Sequence, residues 1–227
     1  MNPSMPIQHV VQFLHDAADA GIDLRVDGGW SVDALLGEQT RAHADLDVVI
    51  EQRDVSRLRD WLGAHGFRDV ARDDTSTWNF VLGEDAGHQI DVHVITLDEA
   101  GNGLYGPPER GVMYPAESLT GVGRIGALTV TCISPEWLVR FHTGYELQES
   151  DLHDVGLLCR RFGIEPLDEY RHLRPFRAIG DPQRCQHDAE PLGWHCIHIS
   201  DSRTPCESHR AHRRCYVGFS RGSSPAP

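Results

Sequence analysis

The sequence predicts an α/β (α+β) protein in which a small twisted mixed sheet has flanking helices and a helical part follows it. Three observations support this. Strand-like and helix-like segments alternate up to about residue 133, mainly helix-like segments follow, and 227 residues suffice for one core, or for one domain with a small helical partner. We therefore divide the chain into a sheet domain over residues 1–133, a helical part over 134–178 and an irregular tail over 179–227.

Two spacings of apolar residues predict the elements. Apolar residues three or four apart predict helices, and short apolar or alternating runs predict strands. The predicted helices cover residues 6–20, 30–36, 54–66, 134–141 with an extension towards 147, 150–163 and 167–173. The predicted strands cover residues 22–26, 45–50, 67–71, 78–82, 89–96 and 127–133. Residues 83–87 form a turn, so the two strands around it are predicted to pair as a hairpin.

Capping residues set several of the helix ends. Gly37 stands at the C-cap position of the second helix. Asp54 and Ser150 are N-cap candidates for the third and fifth helices. Ser134 followed by Pro135 starts the fourth, because proline suits the first helical position.

Residues 98–127 read as one long loop that is rich in glycine. A loop of that length is uncommon in a compact domain unless it serves a function. We interpret it as a lid or rim that faces a substrate, with Tyr105 and Tyr114 as candidates for contact with a substrate ring. A plain surface loop with a buried tyrosine is the alternative.

Two aspartates, Asp45 and Asp47, stand at the head of an apolar strand. Residues two apart in a strand point to the same face, so we expect both carboxylates on one face. Adjacent carboxylates repel each other unless a positive charge lies between them. A hard divalent cation that prefers oxygen ligands, such as magnesium, fits this pair.

A glycine pair, Gly28 and Gly29, precedes the second helix. Without a Cβ atom these residues let a ligand approach the backbone closely, and the amides of a helix N-terminus commonly hold phosphate. A phosphate site beside a magnesium site indicates a nucleoside triphosphate bound with magnesium.

A third carboxylate, Asp91, lies in the middle of the strand over 89–96. Asp91 and His93 share one face of this strand, and the apolar residues beside them share the other. Aspartate is disfavoured in a strand. A function or a local partner must therefore hold Asp91 in place.

The string from Gly28 to Asp47 contains GGW, an Asp, LLG, TR, H and DLD. It resembles the small antibiotic nucleotidyltransferases that act on lincosamides and aminoglycosides, which belong to the polymerase-β-like nucleotidyltransferase superfamily. The stretch CISPEWLVRFHTGYELQESDLHD is similar to the lincosamide enzymes, so the resemblance covers roughly residues 7–173. Many superfamily members have serine where this chain has Trp30, whereas the antibiotic-modifying branch has tryptophan. This leaves open whether Ser31 or only backbone amides contact the phosphates.

The resemblance implies magnesium-dependent transfer of AMP from ATP to a hydroxyl of a lincosamide, with an aminoglycoside as the alternative acceptor. Asp45 and Asp47 would hold magnesium against the triphosphate. Asp91 stands where the family has its third acidic residue and would hold a second metal or act as general base. His93 matches the lincosamide-type pattern as a second base, a substrate contact or a satisfied polar group. Arg41 would reach triphosphate oxygens or remain a solvated arginine.

Two further functional classes are more distant alternatives. One is a nucleotidyltransferase-type antitoxin that acts on a partner protein; the length of the helical part and the long loop argue against it. The other is a non-catalytic nucleotide-binding relic, which the intact set of three acidic residues disfavours. We assign Asp33, in the second helix, to a structural hydrogen bond.

Composition limits the partners. A net charge of −13 argues against binding to nucleic acid, and it suits either a cationic small molecule or solubility alone. The sequence has no apolar run of membrane-spanning length and no secretory signal, so we expect a cytoplasmic monomer or homodimer. Residues 181–227 hold four of the six cysteines without a CxxC pair. A Cys/His metal site there is the alternative to an irregular tail.

Overall fold

One mixed sheet organises the protein, and helices pack on both of its faces. The structure, a computed structural model, describes residues 4–107, 109, 111–171 and 173. The helices are α1 Ile7–Asp19, α2 Gly28–Leu36, α3 Val55–Ala64, α4 Pro135–Phe141, α5 Glu149–Phe162 and α6 Asp168–Arg171. The strands are β1 Leu24–Val26, β2 Leu46–Glu51, β3 Arg68–Val70, β4 Asn79–Gly83, β5 Gln89–Leu97, β6 Gly103–Tyr105, β7 Met113–Tyr114, β8 Gly121–Ile125 and β9 Leu128–Cys132. Gln52–Asp54 and Ala116–Thr120 form 3-10 turns.

The strand order places β2 and β5 at the centre of the sheet. The order is β3-β4-β5-β2-β1-β9-β8, and the short strand β6 pairs with the end of β5 and with β7. Strands β2 and β5 run parallel, β1 runs antiparallel to β2, and the predicted hairpin forms between β4 and β5. The predicted mixed α/β architecture is therefore confirmed.

Alternation along the central strands separates two apolar cores, one on each face of the sheet. On β2, Leu46, Val48 and Ile50 belong to the first core, which α1 and α3 cover. Val49 belongs to the second core, which α4, α5 and α6 cover. Asp47 shares the parity of Val49 and so lies on the face of the C-terminal helices. The same alternation on β5 puts Asp91 and His93 on that face, whereas Ile90, Val92 and Val94 belong to the first core.

The turn from β1 into α2 depends on a capping aspartate and on glycine. The side chain of Asp27 accepts a hydrogen bond from the backbone N–H of Gly28 at 2.7 Å, and Asp27 is the N-cap of α2. Gly28 has φ +58°, in the left-handed region that side chains rarely adopt. Gly37 ends the helix at φ +79°, as predicted.

The interpretation of residues 98–127 as one long loop is wrong. This segment contains β6, β7, a 3-10 turn and β8. The strands are two to five residues long and rich in glycine, so they show no apolar alternation of their own. They form because β5 pairs with β6, β6 with β7, and β9 with β8.

The fourth and fifth helices also differ from the prediction at their ends. Helix α4 ends at Phe141, without the extension towards residue 147. Helix α5 begins at Glu149 with Gln148 as N-cap in a capping box with Asp151, so Ser150 is not the cap. The proposed tail and its Cys/His metal site lie outside the described residues. None of the helices among the described residues is long and apolar enough to cross a membrane.

Candidate active site

Parallel pairing brings two of the predicted acidic residues together. Asp47 on β2 and Asp91 on β5 are register partners, so their side chains leave the same face of the sheet side by side. With His93 they form a cluster in which one ligand atom of each residue lies within 4.8 Å of the others. Carboxylate oxygens at this separation suit a hard divalent cation.

Asp45 is not a member of this cluster. Strand β2 begins at Leu46, so the half-buried Asp45 precedes the strand. We expected Asp45 and Asp47 on one face of a strand that starts at residue 45. The strand starts one residue later, at Leu46. Among the described residues, the close group that could hold a metal consists of Asp47, Asp91 and His93.

His93 is buried inside a polar network. Its Nδ1 lies 3.1 Å from the hydroxyl oxygen of Tyr114 and 3.3 Å from Oδ2 of Asp27, and its Nε2 lies 3.6 Å from Oδ1 of Asp91. Burial opposes a charge on the ring, but the hydrogen bond that the ring donates to Asp27 and the charges of Asp91, Asp27 and Asp47 outweigh it and raise the pKa of His93 to about 9. Of the three roles considered for His93, this geometry favours the satisfied polar group.

Tyr105 and Tyr114, in the segment that the sequence predicted as a loop, both contact protein groups. Tyr114 is fully buried and donates a hydrogen bond from its hydroxyl to Oδ2 of Asp27 at 2.9 Å. The hydroxyl of Tyr105 donates to Oδ1 of Asn79 at 3.0 Å, and its ring packs edge-on against those of His93 and Tyr114. Of the two interpretations of this segment, the one with a buried tyrosine fits Tyr114.

The glycine turn is closely packed by protein atoms. A Cβ atom on Gly29 would lie 2.4 Å from Nη2 of Arg41 and 2.6 Å from Nδ1 of His43. The side chains of Trp30 and Ser31 point into the protein, where Trp30 stacks on His43. Because the Ser31 hydroxyl donates to the carbonyl oxygen of Ile133 at 3.4 Å, the geometry favours backbone amides for any phosphate contact.

Arg41 forms a forked ion pair with helix α5 and is not simply solvated. Its Nε donates to Oδ1 of Asp154 at 2.9 Å, and its Nη2 donates to Oδ2 at 2.6 Å. Asp154 is buried, and the guanidinium rests against the glycine turn. The ion pair therefore joins the C-terminal helices to the region around Gly29.

Asp33 has the structural hydrogen bonds that we expected of it. Its Oδ1 accepts hydrogen bonds from the backbone N–H and hydroxyl of Thr40 at 2.9 and 2.7 Å, and its Oδ2 lies 2.5 Å from Nε2 of His43. These contacts anchor the segment that leads into β2.

Sequence reasoning did not identify two residues of this region, Asp27 and Asp154. Asp27 carried a usable signal, because an aspartate directly before a helix start is a typical N-cap. Asp154 carried none that separates it from other acidic residues of α5, since only the folded chain brings Arg41 to it.

Comparison with known proteins agrees with this geometry. The family described as aminoglycoside-2''-adenylyltransferase matches residues 9–158, more than half of the chain. A lincosamide resistance protein from Staphylococcus haemolyticus is 29% identical over 130 residues, which cover 57% of this chain and 80% of the relative.

Solved structures show the same fold. The lincosamide antibiotic adenylyltransferase LnuA with lincomycin bound superposes with a TM-score of 0.60 and 25% identity, covering 68% of this chain and 97% of LnuA. ANT(2'')-Ia in complex with adenylyl-2''-tobramycin gives 0.56 and 22%, covering 69% and 89%. The resemblance seen in the sequence is thus confirmed, and the chain belongs to the aminoglycoside-2''-adenylyltransferase family of antibiotic nucleotidyltransferases.

Proposed function

We propose that this protein transfers AMP from ATP to a hydroxyl of a lincosamide antibiotic, in a magnesium-dependent reaction that confers resistance. One observation above all supports this type of reaction: Asp47 and Asp91 lie side by side on parallel strands in a chain of this family. The choice of acceptor is supported by the lincosamide relatives, whose identities of 29% and 25% exceed the 22% of ANT(2'')-Ia.

The donor set fits magnesium. Asp47 and Asp91 offer carboxylate oxygens, the ligand type that magnesium prefers, and Asp45 precedes Asp47 by two residues. We assign these three residues as its ligands. We leave His93 out of the ligand set, because 3% of its side chain is exposed, against 23% of the Asp91 side chain. When bound, the metal would offset negative charge on the triphosphate and polarise the phosphoryl group.

In the proposed reaction the acceptor hydroxyl oxygen forms a bond to the α-phosphorus of ATP. The bond from that phosphorus to the pyrophosphate oxygen breaks, and pyrophosphate leaves with its electron pair. The hydroxyl proton goes to a general base, for which Asp91 is the candidate. Exposure separates Asp91 from His93, because 23% of the Asp91 side chain is exposed and 3% of the His93 side chain. A second metal held by Asp91 is the alternative role.

The nucleotide would lie along the turn from β1 into α2. The N-terminus of α2 presents backbone amides, which favour anions. The guanidinium of Arg41 adds positive charge beside Gly29, and Asp154 fixes its orientation. We therefore include Gly28, Gly29 and Arg41 in the triphosphate site, with Trp30 and Ser31 as its buried support.

One experiment tests the function directly. The protein is incubated with magnesium, ATP and a panel of lincosamides and aminoglycosides, and each antibiotic is examined by mass spectrometry for an added AMP group. We expect modified lincosamide, and no product when a chelator replaces magnesium. Product from aminoglycosides alone would overturn the proposed lincosamide acceptor. The absence of product across the whole panel would overturn the proposed function.

An aminoglycoside is the second candidate acceptor. The matching family takes its description from an aminoglycoside adenylyltransferase, and the net charge of −13 suits a polycationic substrate. The same panel discriminates the two classes, because each antibiotic gains mass independently of the others.

A further inference from the structure

A chain of buried polar contacts runs behind the proposed active site, from the N-cap of α2 to Asp91. Asp27 Oδ1 accepts from the backbone N–H of Gly28, and its Oδ2 accepts from the hydroxyl of Tyr114. His93 Nδ1 faces both Asp27 Oδ2 and the Tyr114 oxygen, and His93 Nε2 faces Asp91 Oδ1 at 3.6 Å. Asp27, His93 and Tyr114 are each at most 2% exposed.

The directions of these contacts are consistent with one another. The Tyr114 hydroxyl donates to Asp27. The Nδ1–H of His93 then finds acceptors in Asp27 and in the Tyr114 oxygen. This fixes the plane of the imidazole, and the opposite ring nitrogen points at the Asp91 carboxylate. Asp27, His93 and Tyr114 are within hydrogen-bond distance of one another, and buried hydrogen-bonded groups hold their side chains in one arrangement; the contact from His93 to Asp91 is an ion pair at 3.6 Å.

The contacts also join three segments that are distant along the chain. Asp27 belongs to the turn that starts α2, His93 and Asp91 to the central strand β5, and Tyr114 to the short strand β7. Tyr114 lies 87 residues from Asp27, and His93 lies 66 residues from it. The orientation of Asp91 is thereby coupled to the turn that would hold the triphosphate.

We propose that Asp27 and Tyr114 are positioning residues that act through His93 to hold Asp91 in its reactive orientation. This inference rests on the proposed function, in which Asp91 contacts the acceptor. Residues behind the groups that contact substrate or metal commonly contribute about 10–100-fold to activity. The network also explains the Asp in mid-strand, since His93 supplies its local partner.

Two conservative variants remove one member of the network each. Tyr114→Phe removes the hydroxyl but keeps the ring that packs edge-on against Phe141. Asp27→Asn removes the charge, and asparagine remains a good N-cap. Tyr170→Phe is the matched control, because Tyr170 is equally buried but donates its hydroxyl to the backbone carbonyl of His142, outside the site.

Turnover and ATP affinity separate positioning from stability. We expect kcat to fall about 10–100-fold in Tyr114→Phe and in Asp27→Asn, with the dissociation constant of a non-hydrolysable ATP analogue changed much less. Tyr170→Phe should lower the melting temperature and leave kcat unchanged. Wild-type kcat in folded Tyr114→Phe and Asp27→Asn, or an equal kcat loss in Tyr170→Phe, would overturn the inference.

Crystal structures of the variants provide a readout that needs no turnover. We expect the Asp91 carboxylate to be displaced or disordered in Tyr114→Phe and unchanged in Tyr170→Phe. An unmoved Asp91 in both would overturn the inference even if the wild-type enzyme is active. If wild type modifies no antibiotic, the proposed function fails, and the position of Asp91 still decides whether the network orients it.

Discussion

At the residue scale, burial separates two neighbours on one face of β5. Asp91 is partly exposed, whereas His93 is enclosed by Asp27 and Tyr114. A group must reach the acceptor hydroxyl to take its proton. Exposure therefore favours Asp91 for the proposed contact with the substrate and His93 for its support, a distinction that the shared strand face alone does not make.

Replacement of Asp91 tests this assignment. We expect Asp91→Asn to lose turnover by at least ~10²–10⁴-fold, the usual contribution of general-base help, while affinity for magnesium-ATP falls much less. Asp45 and Asp47 remain to hold the nucleotide metal. Turnover, ATP affinity and melting temperature are measured on the same variant. A folded Asp91→Asn enzyme with near-wild-type turnover would remove Asp91 from the site.

Asp45 and Asp47 can be tested in the same way. Asp45→Asn and Asp47→Asn should each abolish transfer and leave the fold intact, because each removes a charged oxygen ligand from the proposed metal. Circular dichroism checks the fold, and mass spectrometry checks the product. If only the Asp45 variant kept normal turnover, the metal ligands would be restricted to Asp47 and Asp91.

The second glycine of the turn has a steric reason to be glycine. A Cβ atom on Gly29 would overlap Arg41 Nη2 and the His43 ring, and Asp154 limits how far Arg41 can move. We expect Gly29→Ala to lower the free energy of unfolding by about 1–3 kcal/mol, the usual cost of overpacking. Denaturant unfolding measures this.

Gly63→Ala is the control for Gly29→Ala. Gly63 lies in α3 with nothing within 4 Å of an added Cβ atom, so alanine there should be neutral or stabilise by roughly 0.5–1 kcal/mol. Equal effects at the two positions would contradict the steric explanation.

At the element scale, the Arg41–Asp154 ion pair joins α5 to the segment before β2. Asp154 is almost fully buried, whereas the Arg41 side chain is 24% exposed. We expect Asp154→Ala to lower the free energy of unfolding by about 2–3 kcal/mol, below the ~3–5 kcal/mol typical of fully buried pairs, because water reaches Arg41. Affinity for ATP should fall as well, since Arg41 loses its orientation beside Gly29.

A surface pair provides the control for this ion pair. Asp69 contacts Arg59 at 2.8 Å, and its side chain is 67% exposed. Asp69→Ala should therefore change the free energy of unfolding by less than about 1 kcal/mol. If Asp154→Ala were equally mild and kept its ATP affinity, α5 would not contribute to the nucleotide site through this contact.

At the scale of the whole molecule, two cores on opposite faces of the sheet support one site. Residues of β2 and β5 contribute to both cores, and the described part of α6 completes the second core through Tyr170. The family match ends at residue 158. Among the residues that the structure describes, the two cores and the proposed site use residues up to 173.

Removal of residues 181–227 tests this division of the chain. We expect the truncated protein to keep its melting temperature and its turnover, because no residue of the proposed site lies beyond Asp154. Thermal unfolding and the adenylylation assay measure both. A clear loss of soluble protein would show that the domain needs the removed residues.

The sequence by itself determined the secondary structure of most of the chain and the candidates for the site. Apolar spacing is a local property, so it located α1, α3 and the central strands. Residue type and position in the sequence also indicated Asp47, Asp91 and the glycine turn as candidates for the site. Only the tertiary structure decided the short strands between β5 and β9, because they show no apolar alternation of their own and form by pairing with β5, with each other and with β9.

Tertiary structure also decided which candidates meet. Parallel pairing of β2 with β5 puts Asp47 beside Asp91, and strand order cannot be inferred from the alternation within each strand. Asp154 reaches Arg41 across 113 residues, and Tyr114 reaches Asp27 across 87. Such contacts depend on how the elements pack, so the sequence can indicate Asp27 as an N-cap but cannot pair it with Tyr114, or Arg41 with Asp154.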